Sequence, residues 1–108
     1  MAGSYGASSP EELETMLEDA TVLGDSGELA ALFVPGAVLH RAGRELPVRG
    51  RRGIAGLLTG GPDPPTYVAL TPHVLQRGAT ALVLAGAAVH VTRHSPQGWR
   101  YLISWLDG

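Results

Sequence analysis

"AAVHVTRHSPQGWRYLISWLDG", residues 87–108, is the stretch whose reading decides the fold. Two runs rich in Val, Thr, Ile, Tyr and Trp flank Ser95-Pro96-Gln97-Gly98, a turn signal, so the segment reads as a β-hairpin. Three of the six aromatic side chains, Trp99, Tyr101 and Trp105, fall in its second run. With Ile103 they share one parity, and an apolar stripe at period two marks a core face. In a curved sheet that face is also the wall of any enclosed pocket.

Working upstream, "HVLQ" (73–76) and "ATALVLA" (79–85) read as two further strands around an Arg77-Gly78 turn. "TGGPDPPT" (59–66) reads as a loop inside one domain, and everything from Tyr67 onward reads as β. "AVLHR" (37–41) is strand-like, and Ala42-Gly43 turns it into "LPVRG" (46–50), an edge segment because Pro47 cannot donate to a ladder. Helices precede and interrupt these strands. "SPEE" (9–12) supplies Ser9 as N-cap, Pro10 at the first helical position and Glu12 in a capping box. Leu13, Met16, Leu17, Ala20 and Leu23 then form an apolar stripe that Gly24 ends. Asp25 and Glu28 cap a second helix carrying Leu29, Leu32 and Phe33 to a break at Pro35-Gly36. A third helix, 51–59, buries Ile54, Leu57 and Leu58. The order predicts an α+β fold, with helices packed on one face of an antiparallel sheet.

With 108 residues the chain makes one core: residues 1–8 are expected to be a flexible terminus and 9–108 the domain. A net charge of -2 gives no global attraction to nucleic acid or to an anionic membrane, and no apolar run is long enough to span a bilayer. Without cysteine there is neither disulfide nor thiolate chemistry, which fits a reducing cytoplasm. All eight basic residues are arginine and asparagine is missing, a coding bias expected of a high-GC bacterial genome. Seven of the ten acids lie in 11–28, which reads as a solvated acidic helix face.

Three stretches carry a resemblance. "LGDSGELAALFVPGAVLHRAG" (23–43) is similar to the second helix and first strand of the nuclear-transport-factor-2-like superfamily. "LPVRGRRGIAGLL" (46–58) is similar to its edge strand and third helix, and "HVTRHSPQGWRYLISW" (90–105) to its terminal hairpin. Within the superfamily the chain looks most like the SnoaL-like branch, which holds polyketide cyclases and is related to ketosteroid isomerases. The resemblance implies a cone-shaped, strongly curved antiparallel sheet packed on three N-terminal helices. It further implies a pocket for a small apolar, polyketide- or steroid-like molecule, and a homodimer formed through the outer sheet face. Where ketosteroid isomerases place a general-base aspartate this chain has Arg41, and near their oxyanion-hole acid it has Ala87.

Candidate chemistry rests on few residues. His40 and His90 are the candidate bases, because only an imidazole titrates unperturbed near neutrality. Alternation with Val89 and Val91 would put His90 and Thr92 on the more polar face, and parity would turn His40 outward if Leu39 and Arg41 face the cone. Arg41 and Tyr101 are candidates to stabilise developing negative charge. Phe33, Trp99, Ser104 and Trp105 are candidate ligand contacts; Ser104 stands where relatives often carry an aspartate. No histidine pair has metal spacing and 64–106 contain no carboxylate, so neither metal nor other cofactor is expected. The expectations are proton-transfer isomerisation or cyclisation; a ligand-binding accessory protein that has lost its catalytic acids; or a dimerisation module.

Overall fold

The computed structural model describes residues 6–60 and 71–106. The sequence-predicted loop beyond Gly60 and the expected strand around Tyr67 lie outside them. Three helices, α1 (Pro10–Leu23), α2 (Ser26–Ala31) and α3 (Arg51–Thr59), pack against a six-stranded sheet. The strands are β1 (Phe33–Arg41), β2 (Val48–Arg49), β3 (His73–Arg77), β4 (Thr80–Ala85), β5 (Ala88–Ser95) and β6 (Gly98–Leu106), in the spatial order β2-β1-β6-β5-β4-β3.

The helix signals act as written. Ser9 Oγ accepts from the Glu12 N–H at 3.0 Å, and the Glu12 carboxylate reaches back to the Ser8 N–H at 2.6 Å. Gly24, at φ +65°, closes α1 in the left-handed conformation that a side chain resists. Asp25 caps α2 through the Glu28 N–H, again at 3.0 Å. The helix ends earlier than the Pro35-Gly36 break predicts, because Phe33 already pairs with Tyr101 in the sheet and the Leu32 carbonyl accepts the Tyr101 N–H at 2.8 Å. Pro35 and Gly36 instead lie in β1 where its register against β6 shifts, between Phe33 and Val38. The detour frees two β1 carbonyls: Phe33 O takes the Arg51 Nε–H at 2.7 Å and Ala37 O the Gly50 N–H at 2.8 Å. Both donors lie at the start of α3 and dock that helix on β1.

Two expectations about the sheet are corrected. It is antiparallel except for one pair: β1 runs parallel to β6, since α2 delivers the chain to β1 from the same end at which β6 begins. Nor does β6 keep one parity. Val91 opposes Ile103 but Thr92 opposes Tyr101, so Leu102 is an extra residue, a β-bulge that bends the strand. Trp99 and Tyr101 point inward before it, whereas Ser104 and Leu106 do so after it; Trp105 is turned out, 40% exposed.

The inner face carries Leu39, Ala81, Val83, Ala88 and Tyr101, closed by Leu13 and Leu17 of α1, Leu29 of α2 and Ile54 and Leu58 of α3. The outer face carries two rows set by the strand register. One is Leu75, Leu82, Val91, Ile103 and Val38; the other is Leu84, Val89, Trp105 and His40. Ala7 is buried, pairs with Trp99 and accepts its N–H at 2.9 Å. This strap passes so close to the β5–β6 turn that a Cβ on Gly6 would lie 1.6 Å from the Gln97 carbonyl oxygen.

Candidate functional site

Four polar side chains meet inside the apolar interior. Glu14 comes from α1, His90 from β5, and Tyr101 and Ser104 from β6; none is more than 1% exposed. Tyr101 donates its phenolic O–H to Glu14 Oε2. His90 Nε2 lies 3.4 Å from the same oxygen, and its Nδ1 lies 2.7 Å from Ser104 Oγ. The His90 and Tyr101 rings are 4.5 Å apart, and the Phe33 ring covers Tyr101 at 5.1 Å. Nearby, buried Thr92 gives its hydroxyl proton to the Ala81 carbonyl at 3.1 Å.

Register explains the convergence. Val83, His90 and Ser104 lie side by side across three strands on the inner face, and the Leu102 bulge brings Ser104 into that row. The polar alternation of β5 therefore points inward, correcting the expectation that His90 and Thr92 lie on an outer polar surface. Valines 89 and 91 take the outer face instead.

Burial lowers the His90 pKa from 6.5 to about 4. At 3.4 Å the Glu14 contact is too long to offset the desolvation of an imidazolium, so His90 is neutral near pH 7 and the contact is not an ion pair. Two tautomers fit. With the proton on Nε2, Glu14 accepts and the Ser104 hydroxyl donates to Nδ1. With the proton on Nδ1, Ser104 accepts and Nε2 keeps a lone pair on the Glu14 side. A hydroxyl supports both forms because it donates and accepts; an ionised aspartate at 104 would accept only, and would hold the proton on Nδ1.

The structure thus brings together His90, Tyr101, Ser104 and Phe33 among the sequence candidates. The others stand apart. Trp99 is buried beneath the Ala7 strap, 5.2 Å from the His94 ring. His40 stacks on Trp105 at 5.8 Å on the outer face, because Leu39 takes the inward position. Arg41 is half-buried at the end of β1, where it lines a cavity of about 290 Å³ with His40, Ala87 and Trp105. Glu14 is the residue sequence reasoning missed, having been counted with a solvated acidic face. The signal was its place: Pro10, Leu13, Leu17 and Ala20 are buried on one helical arc, and position 14 lies at its edge, one turn after Pro10. Among the described residues, no group of three His, Cys, Asp or Glu side chains is placed to hold a metal ion, and no helix is long and apolar enough to cross a membrane.

No protein-family model matches the chain, and no curated protein does. Solved structures do match. A protein from Novosphingobium aromaticivorans, named as NTF2-like with a cystatin-like fold, superposes with a TM-score of 0.69 at 20% identity, covering 90% of this chain and 77% of its own. A candidate ketosteroid isomerase from Parabacteroides distasonis gives 0.65 at 16% identity, over 91% and 86%. The CaMKII hub of S. rosetta gives 0.70 at 15%, over 96% and 97%. At these identities the likeness is one of fold: the chain has the NTF2-like architecture, a sheet curled into a cone around N-terminal helices.

Proposed function

We propose that this protein binds a small apolar molecule bearing a carbonyl group in the interior of the cone and moves a proton on it. The observation that carries the reading is the convergence of carboxylate, imidazole, phenol and hydroxyl in an otherwise apolar core. Burying four such groups costs more than filling the same space with aliphatic side chains, so a packing role alone explains them poorly.

In the reading, Tyr101 turns its O–H from Glu14 to the substrate oxygen. His90, with Nδ1–H held by Ser104, takes the proton from the adjacent carbon on Nε2. With a β,γ-unsaturated ketone the imidazolium rests against Glu14 Oε2 and returns the proton to the γ-carbon of the dienolate, the double bond moving into conjugation with the carbonyl, so the net change is an isomerisation. A base with a pKa of about 4 is suited to this step: enzymes of this chemistry use carboxylate bases of similarly low pKa where a buried donor stabilises the enolate. The fold-level likeness to a candidate ketosteroid isomerase supports the class of chemistry and nothing finer.

The test is exchange of α-protons of a bicyclic ketone such as 2-decalone into deuterated water, followed by NMR. Exchange above the buffer rate is expected, with loss of at least about a hundredfold in His90→Gln and Glu14→Gln. Unchanged exchange in both variants would overturn the catalytic assignment. A ketone that raises Tm with no exchange in any variant would select the accessory ligand-binding reading.

A second reading concerns assembly. The two apolar rows on the outer face, with Leu75 at 65% exposure and Trp105 at 40%, form a surface suited to a second copy of the chain in a two-fold dimer. One structural neighbour, the CaMKII hub, is named for an assembly role.

A further inference from the structure

Away from the buried cluster, a groove of about 460 Å³ opens between α1, the end of α2 and the β5–β6 turn, lined by Gly6, Met16, Leu32, Pro96, Gln97 and Arg100, with Ala31 and Glu28 on the α2 side. Arg100 has an unusual position for a guanidinium. Its Nε–H is buried and, among the described residues, meets no hydrogen-bond acceptor. Neither it nor neighbouring Arg51 has a carboxylate partner among the described residues, and Arg51 spends its own Nε–H on the Phe33 carbonyl. Desolvation, and then the Arg51 charge, push the Arg100 pKa below its usual value, so the two guanidiniums repel each other. A buried N–H without an acceptor is costly, and a planar fork of donors matches a carboxylate in shape and charge.

We propose that this groove binds a small organic monoanion, its carboxylate on the guanidinium of Arg100 and its apolar body against Met16, Ala31, Leu32 and Pro96. The carboxylate takes the groove-facing donors of the Arg100 guanidinium, and its negative charge relieves the repulsion from Arg51. Glu28 sets the charge of the ligand. Its carboxylate shares the groove without pairing to Arg100, so it opposes a second negative charge and selects a carboxylate over a phosphate dianion. The apolar wall sets the body: an aliphatic chain of a few carbons covers the methionine and leucine surfaces. The site is independent of the His90 cluster, and its occupancy requires no chemistry there.

The experiment is a titration of the ¹⁵N-labelled protein with hexanoate, reading the amide shifts of Gln97, Gly98 and Arg100, with hexan-1-ol and inorganic phosphate as parallel probes. Saturable hexanoate shifts are expected, with at least about tenfold weaker binding of the alcohol and of phosphate. Arg100→Gln should weaken hexanoate binding by a similar factor, whereas Glu28→Gln, at an exposed helical position that preserves the fold, should strengthen it. Absence of saturable shifts, equal binding of hexan-1-ol or phosphate, or unchanged affinity in either variant would overturn the proposal.

Discussion

Glu14, in the first turns of α1, accepts a hydrogen bond from Tyr101, 87 residues later on the last strand. The contact ties the beginning of the fold to its end through a polar pair in a dry interior. Phe33 packs on the same tyrosine ring, so the pair also fixes where α2 passes into β1. Removing one partner strands the other. Tyr101→Phe is expected to destabilise the fold by about 1–3 kcal/mol, because the Glu14 oxygen loses a donor that solvent cannot replace. The cost in the Tyr101→Phe/Glu14→Leu double variant should fall short of the sum of the single variants. Urea denaturation with unchanged m-values measures this; strictly additive costs would show that the two residues act separately.

Neutral His90 makes stability depend on acid. The unfolded chain takes up a proton on this residue as pH falls through 6.5, but the folded protein does so only near pH 4. Between those values the unfolded state binds more protons, so stability falls as the solution is acidified and levels off below about pH 4. Across the window the loss from this group is on the order of 3 kcal/mol. In His90→Gln the corresponding part of the pH dependence should vanish. Equal slopes of unfolding free energy against pH in the two proteins would show that another group titrates.

The strap over Trp99 depends on two glycines meeting back to back. Gly98 has φ +101°, and a Cβ there would lie 2.7 Å from the Gly6 backbone. Gly98→Ala therefore strains the turn and displaces the strap, at an expected cost of more than about 1 kcal/mol. Hydrogen exchange should report faster exchange of the Trp99 amide, which Ala7 now holds. Undiminished protection would mean that the strap can shift without release.

Assembly is tested on the outer face. Val91→Glu and Trp105→Glu place charges within the two apolar rows and leave the inner core untouched. A dimer of the unaltered protein is expected to become monomeric in both, with far-UV circular dichroism unchanged. Light scattering that finds the unaltered protein monomeric at high concentration would remove the dimer reading.

Much of the fold was legible because it is written in local chemistry. Ser9, Gly24, Asp25 and the Ser95–Gly98 turn each act where their residue types predict. Two features were not legible. The parallel pairing of β1 with β6 is a tertiary choice that hides the end of α2, since nothing within 26–36 signals Tyr101 as a partner. The bulge at Leu102 is equally silent, because leucine fits a regular strand as well as an irregular one. That single irregularity is why Trp105, grouped by parity with Tyr101, faces outward, and why Ser104 reaches His90. Glu14 was obscured for another reason: six neighbouring acids made one buried carboxylate look like part of a solvated helix.

The same bulge gives the last strand one residue to spare. Substituting another strand-forming residue for half-buried Leu102 leaves the phase of β6 unchanged and should be nearly neutral for stability. Deleting it takes out the unpaired residue itself: Ile103 would follow Tyr101 in regular pairing opposite Val91, so Ser104 still faces the interior and Trp105 the surface, and only the bend is lost. A deletion scan of the last strand should therefore find its mildest loss at this position. The most replaceable side chain of β6 would also be its most removable.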